Sequence, residues 1–169
     1  MRLVVDTDAG ADDAVAILMA LHAFSNDDQV VGITTVFGNV DVHQANHNVA
    51  QYVDKLQKIE TFRTAKHFFN VLHSIIKAAG RSNIPVFSGA SKAIVASVSE
   101  EKWEGHGLDG LGGESGKVEA SLTTARRNEA VHALIDLAHK HSGELVIAAV
   151  GSLTNIALAF CWTQTSCRM

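Results

Sequence analysis

Leu3-Val4-Val5 runs straight into Asp6-Thr7-Asp8-Ala9-Gly10-Ala11-Asp12-Asp13-Ala14, an apolar start that ends in four carboxylates within eight residues. The run is too short and too branched for a helix and reads as a buried strand. Gly10 supplies a turn. Asp12 and Asp13, followed by Ala14-Val15-Ala16-Ile17-Leu18-Met19-Ala20-Leu21-His22, read as the acidic first turn of a helix, where the helix dipole favours negative charge. In an open α/β sheet, ligands bind at the carboxyl edge of the strands. The acids fall at that edge.

Four acids gathered at one strand end repel one another unless something positive sits among them. A hard divalent cation such as Ca²⁺ or Mg²⁺ takes oxygen ligands and tolerates several carboxylates. An Asp-Asp pair alone is usually a helix cap and an isolated loop aspartate is usually solvated. The spacing Asp-x-Asp-x-Gly-x-Asp-Asp directly after a β run favours a metal site over both.

Composition bounds what such a site serves. The chain has 169 residues and is 47% hydrophobic, enough for one domain with a real core. With 14 basic against 18 acidic residues and a formal charge of -4, it offers no basic cluster for nucleic acid or an anionic membrane surface. No apolar run is long enough to span a bilayer, and Met1-Arg2 leads into a strand rather than a signal peptide. The two cysteines, Cys161 and Cys167, lie together at the far end, so a disulfide framework is not expected and a cytoplasmic location is the default.

Further along, Gln29-Val30-Val31-Gly32-Ile33-Thr34-Thr35-Val36 has the branched composition of a second buried strand and ends at Phe37-Gly38-Asn39-Val40. The stretch from Val42 to Gly80 carries helical periodicity, through Ala45, Val49, Tyr52, Val53 and Leu56 and again through Phe68, Leu72, Ile75 and Ala79. Its histidines, His43, His47, His67 and His73, are spread over helical faces without a metal-ligand pattern. Asn83-Ile84-Pro85-Val86-Phe87-Ser88-Gly89-Ala90 reads as a short strand with the only proline near its start. Gly105-His106-Gly107-Leu108-Asp109-Gly110-Leu111-Gly112-Gly113, with five glycines in nine residues, must be a loop. It lacks the Lys-Ser/Thr of a P-loop and the strand-helix context of a dinucleotide fingerprint, and neither assignment is made. Asn128 to His141 reads as an amphipathic helix stopped by Ser142-Gly143. Leu145-Val146-Ile147-Ala148-Ala149-Val150 is the most hydrophobic strand in the chain and leads into Gly151-Ser152-Leu153-Thr154-Asn155, where Thr154 or Asn155 can cap a following helix.

Five of these segments together resemble the inosine-uridine-preferring nucleoside hydrolase family. Asp6 to Ala14 is similar to its amino-terminal Asp-Thr-Asp-Pro-Gly-x-Asp-Asp-Ala signature, with Ala9 where proline is usual, a change that loosens the turn and removes no ligand. Gly32 to Val40 is similar to the family block whose asparagine contacts substrate near the ribose, here Asn39. The block Pro85 to Ala90 and the glycine loop follow in the family's order; the latter resembles a His-Gly-x-x-Gly-x-Gly loop over the active site, which makes His106 the residue near sugar or base. Gly151 to Ala159 resembles Gly-Pro-Leu-Thr-Asn-x-Ala-Leu-Ala, in which the threonine carbonyl binds Ca²⁺, here Thr154.

The resemblance implies a Rossmann-like open, mostly parallel sheet with helices on both faces, and Ca²⁺-assisted hydrolysis of the N-glycosidic bond of a ribonucleoside to ribose and free base. Asp8, Asp13 and the Thr154 carbonyl are then the metal ligands, Asp8 the general base, Asp12 a binder of a ribose hydroxyl, and Asp6 a support for the loop from behind the ligands. The expected partner is a small ribonucleoside, with neither nucleic acid nor membrane, and family members are homo-oligomers.

The family's domain is about twice this length. The chain is therefore expected to form a truncated nucleoside hydrolase domain over residues 1–160, with about twenty residues inserted around Ala50 to Asn70, and a tail unrelated to the family over 161–169. The late His-Asp pair of the family has no counterpart. The alternative to an active enzyme is a catalytically silent fragment or interaction module; a third reading, an Asp-x-Asp phosphotransfer enzyme, is weaker because no lysine-bearing or phosphate-binding motif accompanies the acids.

Overall fold

The computed structural model describes residues 1–23, 29–58, 84–95, 104–113, 125–126 and 129–166. His67, His73 and most of the expected insertion lie outside these residues. Among the described residues five strands form one sheet in the order β4-β3-β2-β1-β5: β1 Arg2–Thr7, β2 Val30–Thr35, β3 Val86–Ser88, β4 Ala125–Arg126 and β5 Leu145–Ala149. Every pairing is parallel, from Leu3↔Val30 and Thr7↔Thr35 on one side of β1 to Arg2↔Leu145 and Asp6↔Ala149 on the other. The two-residue β4 at the sheet edge has no counterpart in the sequence reading, because two residues carry no periodicity.

Among the described residues the α-helices are α1 Ala11–Ala23, α2 Val42–Lys58, α3 Ala130–Lys140 and α4 Thr154–Ser166. From β1 through β4 the chain moves outward in one direction, then returns through α3 to β5 on the far side of β1. Right-handed crossovers put helices that move in opposite directions on opposite faces of the sheet. Side-chain alternation along the strands bears this out. Leu3, Val5 and Ile33 pack with Ile17, Leu18 and Leu21 of α1 and with Ala45 and Val49 of α2. On the opposite face Gly32 lies against Phe87 and Leu137 of α3, at 3.3 and 3.5 Å from where its Cβ would stand. α3 in turn packs on α4, where the His132 ring meets Trp162 edge to face at 4.9 Å.

The helix expected from Val42 to Gly80 is described as far as Lys58. The segment set apart from residue 161 continues α4 without a break to Ser166. Its lack of periodicity did not forbid a helix, since packing on α3 supplies what an amphipathic stripe otherwise would.

β1 ends between β2 and β5, and its two neighbours feed helices on opposite faces. That is the topological switch point of a doubly wound sheet, where a crevice opens at the carboxyl ends of the strands.

Candidate active site

The turn after β1 is built by its own side chains. The Thr7 hydroxyl donates to Asp13 Oδ1 at 2.6 Å and accepts the Ala9 amide at 3.0 Å, which folds Asp8 to Gly10 back over the start of α1. Ala9 is fully buried with φ of 59°, in the left-handed region. The turn is therefore more than a loosened version of the proline-bearing one, as the sequence suggested: a proline ring fixes φ near about -65° and could not take this conformation. Gly10 sits beneath the acids. A Cβ there would meet Asn39 Nδ2 at 2.5 Å, Asp12 Oδ1 at 2.9 Å and Asp13 Oδ2 at 3.2 Å, so three polar groups converge over a position that only glycine leaves open.

Asp8 is 8% exposed and Asp13 3% exposed. Both oxygens of Asp8 are held by Asn39, Oδ2 by the main-chain amide at 2.9 Å and Oδ1 by the side-chain Nδ2 at 3.0 Å. Gly38, the residue before, lies so close to the Asp8 carboxylate that no side chain fits. Asn39 thus orients Asp8 directly, a role that its turn-like sequence context did not disclose.

Asp12 projects outward, 73% exposed, and pairs with His106 Nε2 at 3.4 Å. His106 ends a short 3-10 turn, Glu104–His106, at the head of the glycine loop. The contact brings two residues ninety-four positions apart in sequence to the same rim of the crevice.

Asp6 is fully buried at the base. Its Oδ1 accepts from the Thr34 hydroxyl at 2.6 Å and from Asn155 Nδ2 at 2.8 Å. Asn155 also donates to the Thr35 carbonyl at 2.9 Å and accepts the Ala90 amide at 2.9 Å, so one side chain at the start of α4 ties β1, β2 and the segment after β3 together. The loop before α4 is drawn in the same way. Val150 and Gly151 donate to the Asp6 carbonyl at 2.8 and 3.2 Å, Gly151 leaves no room for a Cβ against the Asp8 amide, and the Ser152 hydroxyl donates to the Phe37 carbonyl at 2.9 Å. Thr154 opens α4 at the end of this loop, next to Asn155.

Burial without charge compensation marks these acids electrostatically. Desolvation pushes Asp13 up to about 7 against the pull of the Thr7 hydroxyl, and the nearby negative charges of Asp8 and Asp12 push the same way. Asp6 is raised too, chiefly by burial, and its Oδ2 is buried without a hydrogen-bond partner among the described residues. Such a set fits a hard cation, which would relieve both the desolvation and the mutual repulsion. Among the described residues no three His, Cys, Asp or Glu side chains form a metal-binding group by themselves. A cation held here completes its shell with main-chain carbonyls, water or ligand hydroxyls.

Asn155, Asn46 and Asn48 are buried polar residues that the sequence reading either treated as a cap or passed over. The signal available for the latter two was an asparagine set among the apolar positions of α2, where burial requires a partner.

The model of the family described as inosine-uridine preferring nucleoside hydrolase matches residues 3–69 and 61–165. A probable uridine nucleosidase 2 of Oryza sativa subsp. japonica is 32% identical over 158 residues, covering 94% of this chain and 39% of its own. Uridine nucleosidase 1 of Arabidopsis thaliana is 30% identical over 162 residues, again 94% of this chain and 39% of the relative. Among solved structures, an inosine-guanosine nucleoside hydrolase superposes with a TM-score of 0.70 at 28% identity, over 97% of this chain and 44% of that one. The chain thus spans less than half the length of the relatives it matches. In sequence over nearly its whole extent and in fold, it belongs to the inosine-uridine preferring nucleoside hydrolase family.

Proposed function

We propose that this chain carries the metal- and ribose-binding half of a nucleosidase site, which hydrolyses the N-glycosidic bond of a ribonucleoside to ribose and a free base. The observation behind the reading is the gathering of Asp8, Asp12, Asp13 and Asn39 around Gly10 at the switch point of the sheet. An uncharged nucleoside suits a crevice whose charge is carried by acids.

Asp8, Asp13 and the main-chain carbonyl of Thr154 would hold Ca²⁺. When bound, the ion supplies Lewis acidity toward a water and toward ribose hydroxyls. Asp8 is the general base: it takes a proton from the water whose oxygen bonds to the anomeric carbon. Asn39 keeps both Asp8 oxygens aimed, which fixes the lone pair that receives that proton. Asp12 accepts a hydrogen bond from a ribose hydroxyl, and His106 approaches the sugar or the base from the glycine loop. The C–N bond breaks with its electron pair going to the base, which leaves as an anion and takes a proton from solvent water to become the free base. The sugar passes through an oxocarbenium-like state, as in glycoside hydrolysis, and anionic groups beneath it favour that positive charge.

The test is release of free base from inosine and uridine by the purified chain, with and without Ca²⁺, read by chromatography. Turnover that needs Ca²⁺ and falls about a thousandfold or more in Asp8→Ala supports the reading. A folded sample that binds Ca²⁺ but releases no base would leave binding without catalysis. Such a sample would support the second reading, a catalytically silent fragment or interaction module.

A further inference from the structure

Asn48 of α2 is fully buried and has no part in the chemistry above. Its Nδ2 donates two hydrogen bonds, to the Ala9 carbonyl at 3.0 Å and to the Asp109 carbonyl at 2.9 Å, and its Oδ1 accepts from Gln44 Nε2 one turn earlier at 2.9 Å. Both N–H groups of the amide are thus committed. The two carbonyls belong to the acid-bearing turn after β1 and to the glycine loop, segments far apart in the sequence.

Neither segment is held by a helix or strand ladder of its own. Ala9 is left-handed, and Gly107, Gly110, Gly112 and Gly113 of the loop have φ between 67° and 87°. The loop is nevertheless internally ordered. Gly110 and Gly112 donate to the carbonyls of Gly107 and His106 at 3.1 and 2.8 Å, and Leu111 and Gly113 donate to Asp109 Oδ1 at 2.9 Å each. It docks as a preformed unit. Gly110 is the point of contact: a Cβ there would stand 2.9 Å from Val40 Cγ1 and 3.3 Å from both the Ala9 carbonyl oxygen and Asn48 Nδ2. Among the described residues the loop is also tied by Leu111, which packs against the core, and by the pair between His106 and the exposed Asp12, which solvent weakens.

We propose that Asn48 is a positioning residue that fastens the glycine loop and the Asp8-bearing turn into one mechanical unit, so that His106 and Asp8 hold a fixed relation across the crevice. The ligand held between them is the ribonucleoside, which rests on the reading under Proposed function; the coupling itself does not. Asn46 supplies the contrast. It lies on the same helix and is nearly as buried, but its amide joins the Thr35 hydroxyl at 2.6 Å to Ser88 Oγ at 2.9 Å, and so serves strand spacing rather than the loop.

Amide hydrogen exchange tests this, because the loop amides and the Ala9 amide are all hydrogen-bonded. In Asn48→Leu, which keeps volume and removes both donors, the amides of Ala9 and of residues 110–113 exchange about tenfold faster or more, while those of β1 and β2 keep their protection. Gly110→Ala, which crowds Val40, the Ala9 carbonyl and Asn48 Nδ2 and so lifts the loop while leaving the Asn48 amide in place, loosens the same two segments. Asn46→Leu loosens neither. Ca²⁺ affinity by calorimetry falls about tenfold in Asn48→Leu and holds in Asn46→Leu. The proposal is overturned if Asn48→Leu accelerates exchange evenly across the sheet, if the loop loosens and Ala9 does not, or if Asn46→Leu gives the same pattern. Should Asn48→Leu fail to fold, the Gly110→Ala pattern decides alone. A wild-type chain that binds no Ca²⁺ and releases no base defeats the nucleosidase reading, and the exchange measurements still judge the coupling.

Discussion

The two sides of β1 are held together by different physics. Toward β2 the contacts are buried and polar: Asp6 with Thr34, Thr35 with Asn46, Asn39 with Asp8, and Asn155 reaching across to Asp6 and the Thr35 carbonyl. Toward β5 the main-chain ladder is just as regular, but β5 is the edge of the sheet and its side chains are apolar and half in water. Val146 and Ile147, on opposite faces, are 43% and 37% exposed, and α4 adds Phe160 and Trp162 at 64% and 53%. An uncharged strand without proline has the composition of an interior strand, here in an edge position. The first side determines whether the site exists. The second determines how the molecule behaves toward other surfaces.

If that division is right, the largest loss of stability follows from cutting the polar side at its most connected point. Asn155→Leu strands the buried Asp6 carboxylate and two main-chain groups at once, and we expect a loss of about 3–5 kcal/mol in urea unfolding. A loss below about 1 kcal/mol would erase the contrast.

The same side is sensitive to pH. Asp13 stands at about 7 in the folded chain against 3.8 unfolded, so the folded state binds more protons between these values. The associated stability is present below the unfolded value and is lost as pH rises through the folded one, by up to about 4 kcal/mol without a cation. Asp6 shifts in the same direction. Thermal melting in a chelator should give a Tm that falls from pH 4 to 7, and added Ca²⁺ should flatten the slope. A Tm that rises over this range without metal would contradict the burial of these acids.

Next in size is the turn. Ala9→Pro restores the family's usual residue but conflicts with φ of 59° and removes the amide that donates to Thr7. It should cost about 3 kcal/mol, and unchanged stability would mean that the turn adopts another path. The smallest effect belongs to the β5 side. Ile147→Lys should change unfolding free energy by less than about 1 kcal/mol, since its side chain is already partly solvated, while lowering self-association measured by light scattering.

Much of this was legible in the sequence, for local reasons. Short branched runs identified β1, β2 and β5, the glycine-rich stretch identified the loop, and the spacing of Asp6, Asp8, Asp12 and Asp13 announced a carboxylate cluster on one turn. What the cluster rests on was not legible. Asn39 was expected to contact substrate near the ribose and Asn155 to cap a helix, and their hold on Asp8 and Asp6 stayed hidden because a side chain that hydrogen-bonds across the sheet has no signature along the chain. Asn48 carried only the signal of an asparagine among apolar helix positions, which does not say what it bonds.

The sequence by itself determined most of the elements and the acidic character of the strand end, since these follow from side-chain periodicity and backbone preference within a few residues, and the parallel sheet came from the family resemblance. Only the tertiary structure decided which carboxylates share a wall, that His106 stands beside Asp12, and that the most apolar strand lies at an edge. Those outcomes depend on which segments the crossovers bring together, and on the need of every buried polar group for a partner that the chain supplies from far away.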